Sequence, residues 1–460
     1  MAHQYSKFLH PLYLLGDLVL LNVAFLISYY LQFSNLDLFI FNPYFFLLIF
    51  FNIVWIFVSV LLDNHEKNRM ATDSAIAKKI IKGLVLHLAA IATILLFVKA
   101  TYFSRLLLIY SYALFGTFVF TWRIAFIYTL RAYRKKGYNF RTYIIVGFTE
   151  QGQNLNKLFA KHPEFGYRFL GYFDDQTNNE FVTGKIADIQ NFVKEHKIDE
   201  IYFSTSELDK TYVKNLVKFA DQNLVRVKLL ANSPHDVNNQ KLYPSQVGPL
   251  SVFSIRKEPL RDSFSRLSKR VFDIIFSSFV IVCIHSWLVP IIAILIKLDS
   301  KGPVFFKQKR TGLDGKDFWC LKFRTMKVNS DADSKQATKD DSRITKLGAF
   351  LRKSSIDELP QFFNTLKGDM SVVGPRPHML KHTEYYSQEV EKFMVRHLVK
   401  PGITGLAQTK GYRGETKEVS AMKNRVRMDV FYVENWSLFL DIKIIFMTVF
   451  NMVRGEKNAY

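Results

Sequence analysis

Four long apolar runs near the N-terminus constrain this chain more than anything else in it: Pro11–Phe33, Pro43–Leu62, Ile80–Val98 and Leu106–Leu130. Each is close to the ~20 residues a helix needs to cross the hydrocarbon of a bilayer. There, only a structure that satisfies its own backbone hydrogen bonds survives. The second run, PYFFLLIFFNIVWIFVSVLL, carries no charge at all. Lys67, Arg69, Lys78, Lys79 and Lys82 follow it, Arg131, Arg134, Lys135, Lys136 and Arg141 follow the fourth run, and the turn from Ser34 to Asn42 has no basic residue. Positive-inside bias therefore puts both ends of a four-helix transmembrane bundle, residues 1–135, in the cytoplasm. No small-residue cleavage site follows the first run, which reads as a retained anchor rather than a signal peptide. Asp17 lies within that run about one turn from the interface, where a costly carboxylate is best explained by a contact inside the bundle.

Composition agrees with a membrane setting: 49% of residues are hydrophobic and 43 are Phe. The 62 Lys and Arg exceed the 40 acids by 22, which suits an anionic membrane face, membrane lipids and phosphorylated substrates. Nucleic acid is not an expected partner, because the basic residues flank apolar spans and no nucleic-acid-binding motif accompanies them. Cys283 and Cys320 are the two cysteines, too few for a disulfide framework and without metal-ligand spacing.

From Thr142 onward the pattern changes. YIIVG, RFLGYF, EIYFS and VRVKLL read as strands, separated by amphipathic stretches such as GQNLNKLFAKH. The alternation predicts a Rossmann-like domain with a parallel sheet at 140–250. GFTEQG, with Gly147, Gly152 and the later Asp174, is an incomplete dinucleotide fingerprint and reads better as a structural strand-to-helix turn. Residues Asn232–Arg261 read as a linker.

Between Asp273 and Lys297 lies a further apolar run of 23 uncharged residues, long enough to span. Arg266, Lys269 and Arg270 precede it and Lys297, Lys301, Lys307, Lys309 and Arg310 follow, so both flanks prefer the cytoplasm. A re-entrant membrane helix at about 268–297 resolves the conflict. Pro290 permits a bend, and His285 and Ser286 are placed to cap backbone groups freed by it.

The chemistry is expected in an α-rich third domain, 265–460. Lys322 and Arg324 in FWCLKFRTM have strand spacing that puts them on one face. In LRKSSIDELPQFFNTLKGDMSVVGPRP, Asp357 and Glu358 precede Pro360, a residue suited to the first turn of a helix, whose free N–H groups favour a carboxylate or a phosphate. S-I-D-E is equally a capping box with Ser355 and Glu358 as reciprocal caps, and spacing alone leaves both readings open. Arg376 between two prolines suits bidentate phosphate contact, and Arg413 in KGYRGE is a further candidate. ENWSLFLDIKIIFMTVFNMV suits an interfacial helix, with Asp441 embedded in it as a metal or active-site partner.

The motifs KRVFDII, KLDSKGPVFFKQKRTG, FWCLKFRTM, SSIDELPQFFNTLKGDMSVVGPRP, KPGITGLAQ and ENWSLFLDIKII stand in this order between Ser265 and Tyr460. In this the chain resembles the bacterial sugar transferases, the monotopic polyprenyl-phosphate phosphoglycosyl transferases. The preceding bundle and Rossmann-like, CoA-binding-like domain resemble the long form of that family. The resemblance implies transfer of a sugar 1-phosphate from a UDP-sugar to undecaprenyl phosphate. Asp357 would be the nucleophile, UMP the leaving group, and Glu358 and Asp441 the supporting acids and ligands of Mg²⁺. Lys322, Arg324, Arg352, Arg376 and Arg413 would hold phosphates. It further implies a multi-pass protein of the bacterial inner membrane that starts exopolysaccharide, capsule or O-antigen units on the cytoplasmic face, with bundle surface left for a homodimer. Where many members carry a Ser-Pro pair at the helix break, this chain has Ser286-Trp287, with Pro290 one turn later. A glycosyltransferase that releases UDP and a non-catalytic membrane scaffold are the rival expectations.

Overall fold

A computed structural model describes residues 9–37, 42–62, 69–70, 72–100, 102–176, 179–204, 210–230, 242–327, 341–412 and 419–454. The chain divides into two units, 1–204 with 245–252, and 205–244 with 253–460.

The first unit opens with four helices: α1 (Leu9–Phe33), α2 (Pro43–Leu62), α3 (Asp73–Phe97) and α4 (Arg105–Lys135). α1, α3 and α4 are long and apolar enough to cross a membrane, and α2 supplies a shorter apolar stretch, Pro43–Ser59. α3 starts about two turns before the apolar run because Thr72 caps it, accepting from the Ala75 N–H at 3.3 Å, so Lys78 and Lys79 belong to the helix together with Lys82. Leu21, Phe25, Phe51, Trp55, Ile91, Leu107 and Phe115 form the apolar centre of the bundle. Asp17 is fully buried there, paired with the Arg123 guanidinium of α4 and accepting from Trp55 Nε1 at 3.2 Å. The intramembrane carboxylate is thus a packing contact that joins α1, α2 and α4.

The same unit continues into strands β1 (Arg141–Val146), β2 (Tyr167–Phe173), β3 (Val182–Gly184) and β4 (Glu200–Phe203), all parallel in the order β3-β2-β1-β4. Helices α5 (Glu150–Lys161) and α6 (Ile189–Glu195) make the crossovers. The GFTEQG turn is filled by the protein itself: Asp174 Oδ2 accepts from the Phe148 N–H at 2.6 Å. Gly152 is required by packing, since a Cβ there would come within 2.9 Å of Ile145 Cγ2 and Ser204 Oγ.

The second unit begins with α7 (Lys210–Gln222) and β5 (Arg226–Leu230). Of the stretch expected as a linker, residues 232–241 lie outside the described residues, and the rest holds two strands, β6 (Tyr243–Val247) and β7 (Leu250–Ser254), whose residues 245–252 count with the first unit, and a 3₁₀ turn at Pro259–Arg261. Its Pro and Gly sit in and between those strands rather than in an unstructured connection. A long helix follows, α8 (Ser263–Val280) running through a π-helical turn at Ile281–His285 into α9 (Ser286–Asp299). The whole helix Phe264–Asp299 is 36 residues long, which at 1.5 Å per residue is about 54 Å, and the uncharged run of 23 residues between Asp273 and Lys297 accounts for the part long enough to enter the ~30 Å hydrocarbon core. Pro290 stands inside α9, and Ile281, His285 and Ser286 keep right-handed helical dihedrals.

The remainder of this unit is an antiparallel hairpin, β8 (Phe305–Thr311) with β9 (Asp317–Phe323), then α10 (Lys346–Lys353), α11 (Gln361–Lys367), β10 (Ser371–Val373) and α12 (Leu380–Glu389). β11 (Gly402–Thr404), parallel to β10, α13 (Leu406–Thr409), α14 (Val419–Asn435) and α15 (Leu438–Arg454) complete it. Val280, Phe362, Val373, Phe393, Tyr432 and Ile444 form its main core, and Ile292, Ile296, Phe323 and Leu351 a second one under α9. α15 buries Asp441 and Ile444 while leaving Phe439, Phe446 and Phe450 exposed, the pattern of a helix lying in a membrane interface.

The Asp17–Arg123 pair yields a stability prediction. Asp17→Asn leaves Arg123 without its counter-charge, so the unfolding midpoint in detergent should fall, by the equivalent of about 3 kcal/mol. Replacing both residues by Leu should recover most of that loss. An unchanged midpoint in Asp17→Asn would contradict the packing role.

Candidate active site

The site grows from the end of a strand. β9 alternates, so Cys320 and Lys322 share one face, and Lys322 occupies the last full position before the strand stops at Phe323. α11 is pinned to that strand by Asn364, whose Nδ2 donates to the Trp319 carbonyl at 2.7 Å and whose Oδ1 accepts from the Leu321 N–H at 2.9 Å. The turn feeding α11 is thereby carried over Lys322. α10 delivers that turn from the other side, capped by Thr345, with Gly348 pressed so close that a Cβ would lie 2.0 Å from the Thr325 carbonyl oxygen.

Between α10 and α11 the chain reverses through Ser355, at φ 58°, into a single 3₁₀ turn, Ile356–Glu358. A left-handed residue before the turn cannot act as an ordinary N-cap, and the Ser355 side chain makes no capping hydrogen bond. The capping-box reading therefore fails on both sides, because the Glu358 carboxylate is committed elsewhere. Lys322 Nζ donates to Glu358 Oε1 at 2.6 Å, and Arg376 grips the same carboxylate bidentately, Nη1 to Oε2 at 3.0 Å and Nη2 to Oε1 at 2.6 Å. Asp357 sits beside this cluster, with Oδ2 3.7 Å from Lys322 Nζ. Both acids are buried.

Arg376 is held as firmly as the anion it serves. β10 and β11 bring VVGPRP and KPGITG together so tightly that a Cβ on Gly402 would meet the Gly374 nitrogen at 2.0 Å. Arg396, itself paired with Asp429 at 2.8 Å, donates to the Arg376 carbonyl at 2.8 Å, and Arg310 donates to the Pro377 carbonyl at 3.2 Å. His378 faces Arg396 Nη1 at 3.0 Å, and burial followed by the surrounding guanidinium groups keeps it well below the usual histidine range, so it accepts as a neutral ring.

The electrostatics separate the two acids. Burial raises the Asp357 pKa above the usual carboxylate range, Lys322 opposes the rise, and the charge of Glu358 adds to it. Arg376 is pushed up by Glu358, against its burial, and stays a fixed cation. Arg352, at the end of α10, donates from Nε to Thr325 Oγ1 at 2.8 Å; burial lowers its pKa and the nearby Asp357 partly restores it. The arrangement is an acid whose charge is costly, beside two cations anchored by a second acid.

Of the residues singled out from sequence, Lys322, Asp357, Glu358 and Arg376 come together, and Arg352 lies within the electrostatic reach of Asp357. Arg324 does not join them. Its guanidinium closes the C-terminal end of α9, donating to the carbonyls of Lys301 at 2.5 Å and Ser300 at 2.8 Å. Asp441 is fully buried in a cluster of its own, accepting from Lys269 Nζ at 2.7 Å, Tyr432 Oη at 2.8 Å and Trp436 Nε1 at 3.0 Å. Arg413 lies outside the described residues.

A bacterial sugar transferase family model matches residues 264–455, and a CoA-binding domain model matches residues 60–231. The chain is 40% identical to a UDP-glucose:undecaprenyl-phosphate glucose-1-phosphate transferase from Klebsiella pneumoniae, over 75% of this chain and 77% of that protein. Proteins of the same name from Xanthomonas campestris pv. campestris and Escherichia coli strain K12 are 36% and 39% identical, over 71% and 69% of this chain and 69% and 68% of their own lengths. The chain belongs to the bacterial sugar transferase family.

In this sugar transferase the two acids named for Mg²⁺ have separate partners, Glu358 with Lys322 and Arg376, and Asp441 with Lys269, Tyr432 and Trp436. Among the described residues there is no group of three or more His, Cys, Asp or Glu that could hold a metal ion. Two supporting residues were not anticipated as such. Lys269 carries the Asp441 carboxylate and also donates to the Val373 carbonyl at 2.9 Å, and Asp273 accepts from Ser371 Oγ at 2.8 Å and the Val372 N–H at 2.9 Å. Both hold β10, which leads directly into Arg376. The signal was present: Lys269 and Asp273 stand four apart, on one face of a helix that runs into an uncharged apolar segment, a placement that marks a polar contact inside a membrane-associated fold.

The shared carboxylate makes a stability claim. Glu358→Ala leaves the half-buried Lys322 and Arg376 without their common anion, and the unfolding midpoint should fall by the equivalent of about 2 kcal/mol, with Glu358→Gln intermediate. A Glu358→Ala protein as stable as the parent would show that the cluster does not hold the site together.

Proposed function

We propose that the chain transfers a sugar 1-phosphate from a UDP-sugar to undecaprenyl phosphate, through a covalent phosphosugar on Asp357. Three UDP-glucose:undecaprenyl-phosphate glucose-1-phosphate transferases are its relatives over about two thirds or more of their length, which supports the overall reaction. The observation that carries the mechanism is the division of labour between the acids: Glu358 is consumed by Lys322 and Arg376, whereas Asp357, its neighbour, has a raised pKa and a cation 3.7 Å away.

In the first half-reaction an Asp357 carboxylate oxygen attacks the β-phosphorus of the UDP-sugar. The bond from that phosphorus to the oxygen bridging it to the α-phosphate breaks, and UMP leaves with the electron pair. In the second, a phosphate oxygen of undecaprenyl phosphate attacks the same phosphorus and expels the Asp357 carboxylate, giving undecaprenyl diphosphate sugar. Two displacements replace one. Lys322 and Arg376, held in place before substrate arrives, neutralise charge on the phosphoryl oxygens without reorganising. Burial serves the nucleophile as well, since a poorly solvated carboxylate attacks more readily than a hydrated one. Mg²⁺, when bound, would be held by Glu358 and would neutralise charge on the leaving group.

The membrane placement follows the same chemistry. Undecaprenyl phosphate is confined to the bilayer and UDP-sugars to the cytoplasm, so the site belongs at the cytoplasmic face of the inner membrane, with α8–α9 re-entering and α15 lying in the interface. The product is the expected first lipid-linked unit of an exopolysaccharide, capsule or O-antigen.

Two measurements test the reaction. With UDP-glucose and undecaprenyl phosphate the nucleotide product should be UMP; UDP would place the chain among simple glycosyltransferases. Asp357→Asn should lose essentially all turnover, because an amide cannot form the acyl phosphate, while a non-catalytic scaffold would be indifferent to it. The pH dependence has a definite sign. The active form is deprotonated, so kcat/KM should rise with pH through the Asp357 pKa and flatten above it, with the rise displaced upward from the ordinary carboxylate range. Glu358→Gln removes the charge that raises this pKa, and any residual activity should show the rise at lower pH.

A further inference from the structure

The long helix of the second unit does something at its irregular turn that its membrane role does not require. In the π-helical segment Ile281–His285 the Ser286 N–H reaches back five residues to the Ile281 carbonyl. Two side chains service the widened turn: Ser286 Oγ donates to the Val282 carbonyl at 2.7 Å and Trp287 Nε1 to the Cys283 carbonyl at 2.9 Å. π turns of this kind occur often at functional sites, because the extra residue rotates one side chain out of the regular helical register.

The residue presented here is His285, which is only 3% exposed. Its Nε2 lies 2.9 Å from the carbonyl of Leu359, whereas Nδ1 has only a long approach, 3.4 Å, to the Val280 carbonyl. The shorter contact selects the tautomer with hydrogen on Nε2. The Leu359 carbonyl also accepts from the Phe362 N–H at 3.0 Å, using its second lone pair. The imidazole stands edge-on to Phe362 and Phe363, with ring centroids 5.9 and 5.3 Å away. Leu359 directly follows Asp357 and Glu358. The one polar side chain that the π turn directs at α11 therefore grips the turn bearing both acids.

We propose that His285 is a positioning residue for Asp357: the π turn aims its Nε2–H at the Leu359 carbonyl and so fixes the Ile356–Glu358 turn relative to Lys322. From its far side the turn is tied by Asn364 onto β9 and by Glu358 onto Lys322 and Arg376, while Arg270 of α8 holds the other end of α11 through the Thr365 and Leu366 carbonyls. Rotation of the turn about those anchors is what the His285 bond opposes. A displacement of about 1 Å at a nucleophile is enough to cost on the order of a hundredfold in rate.

The inference rests on the reading of Asp357 as nucleophile. Its test uses the full chain in lipid nanodiscs with UDP-glucose and undecaprenyl phosphate, comparing the parent with His285→Leu, which fills the space without a donor, and His285→Gln, whose amide places an N–H close to Nε2. His285→Leu should lower kcat by roughly tenfold or more with little change in KM, and His285→Gln should restore most of it. Amide hydrogen exchange over residues 356–360 should quicken in the Leu protein and recover in the Gln protein. Parental turnover within twofold in His285→Leu would overturn the proposal. So would a loss in both variants accompanied by an equal fall in unfolding midpoint, which would make His285 a packing residue. If the parent releases no UMP, the catalytic reading fails instead, and the exchange data alone then decide whether His285 orders the turn.

Discussion

The catalytic unit depends on one carboxylate shared by two cations. Glu358 binds Lys322 from β9 and Arg376 from the strand-following segment GPRP, and the three side chains come from three separate stretches of chain. Without the anion, the two half-buried cations would repel each other, and β9, the 3₁₀ turn and the GPRP segment would lose their common point. Burying such a cluster is expensive, and the cost is offset only because every member has excellent geometry. The consequence for Asp357 is direct. It inherits a site already low in water and rich in positive charge, while the neighbouring acid, rather than Asp357 itself, provides the anion that holds the cations in place.

The membrane-associated helices serve this cluster from below. Lys269 and Asp273 of α8 hold β10 by its backbone, and Asp441 of α15, locked by Lys269, Tyr432 and Trp436, joins the two apolar helices to the same strand. Arg324 closes the carbonyl end of α9 where it emerges toward β8. A charged residue in an apolar helix is costly unless paired, so these contacts fix the depth and rotation of both helices relative to the acid pair. The same two helices thus also set the position of the acid pair and its cations.

Much of this was legible from residue order. The four apolar runs, the strand-helix alternation after Thr142 and the acid pair all rest on local pattern, and local pattern is what periodicity and charge bias report. Where the reading missed, a non-local or conformational fact intervened. Arg324 follows Lys322 by two, but β9 ends at Phe323, so the alternation that would align them stops one residue short. S-I-D-E has the letters of a capping box, yet Ser355 takes a left-handed conformation that no spacing rule encodes. Asp441 seemed free to join the active acids because nothing in the sequence says that Lys269, 172 positions away, will be its partner. The supposed linker after Asn232 contains strands, since Pro and Gly are tolerated at strand ends and in the tight turn between β6 and β7.

The central claim is that a phosphosugar rests on Asp357 between the two half-reactions. The most direct measurement is peptide mass analysis of the protein after incubation with its UDP-sugar in the absence of undecaprenyl phosphate. The account predicts about one equivalent of UMP per site and a sugar-phosphate adduct on the peptide containing Asp357, discharged when undecaprenyl phosphate is added. UMP formed only when both substrates are present, or an adduct carried by any other residue, would contradict it.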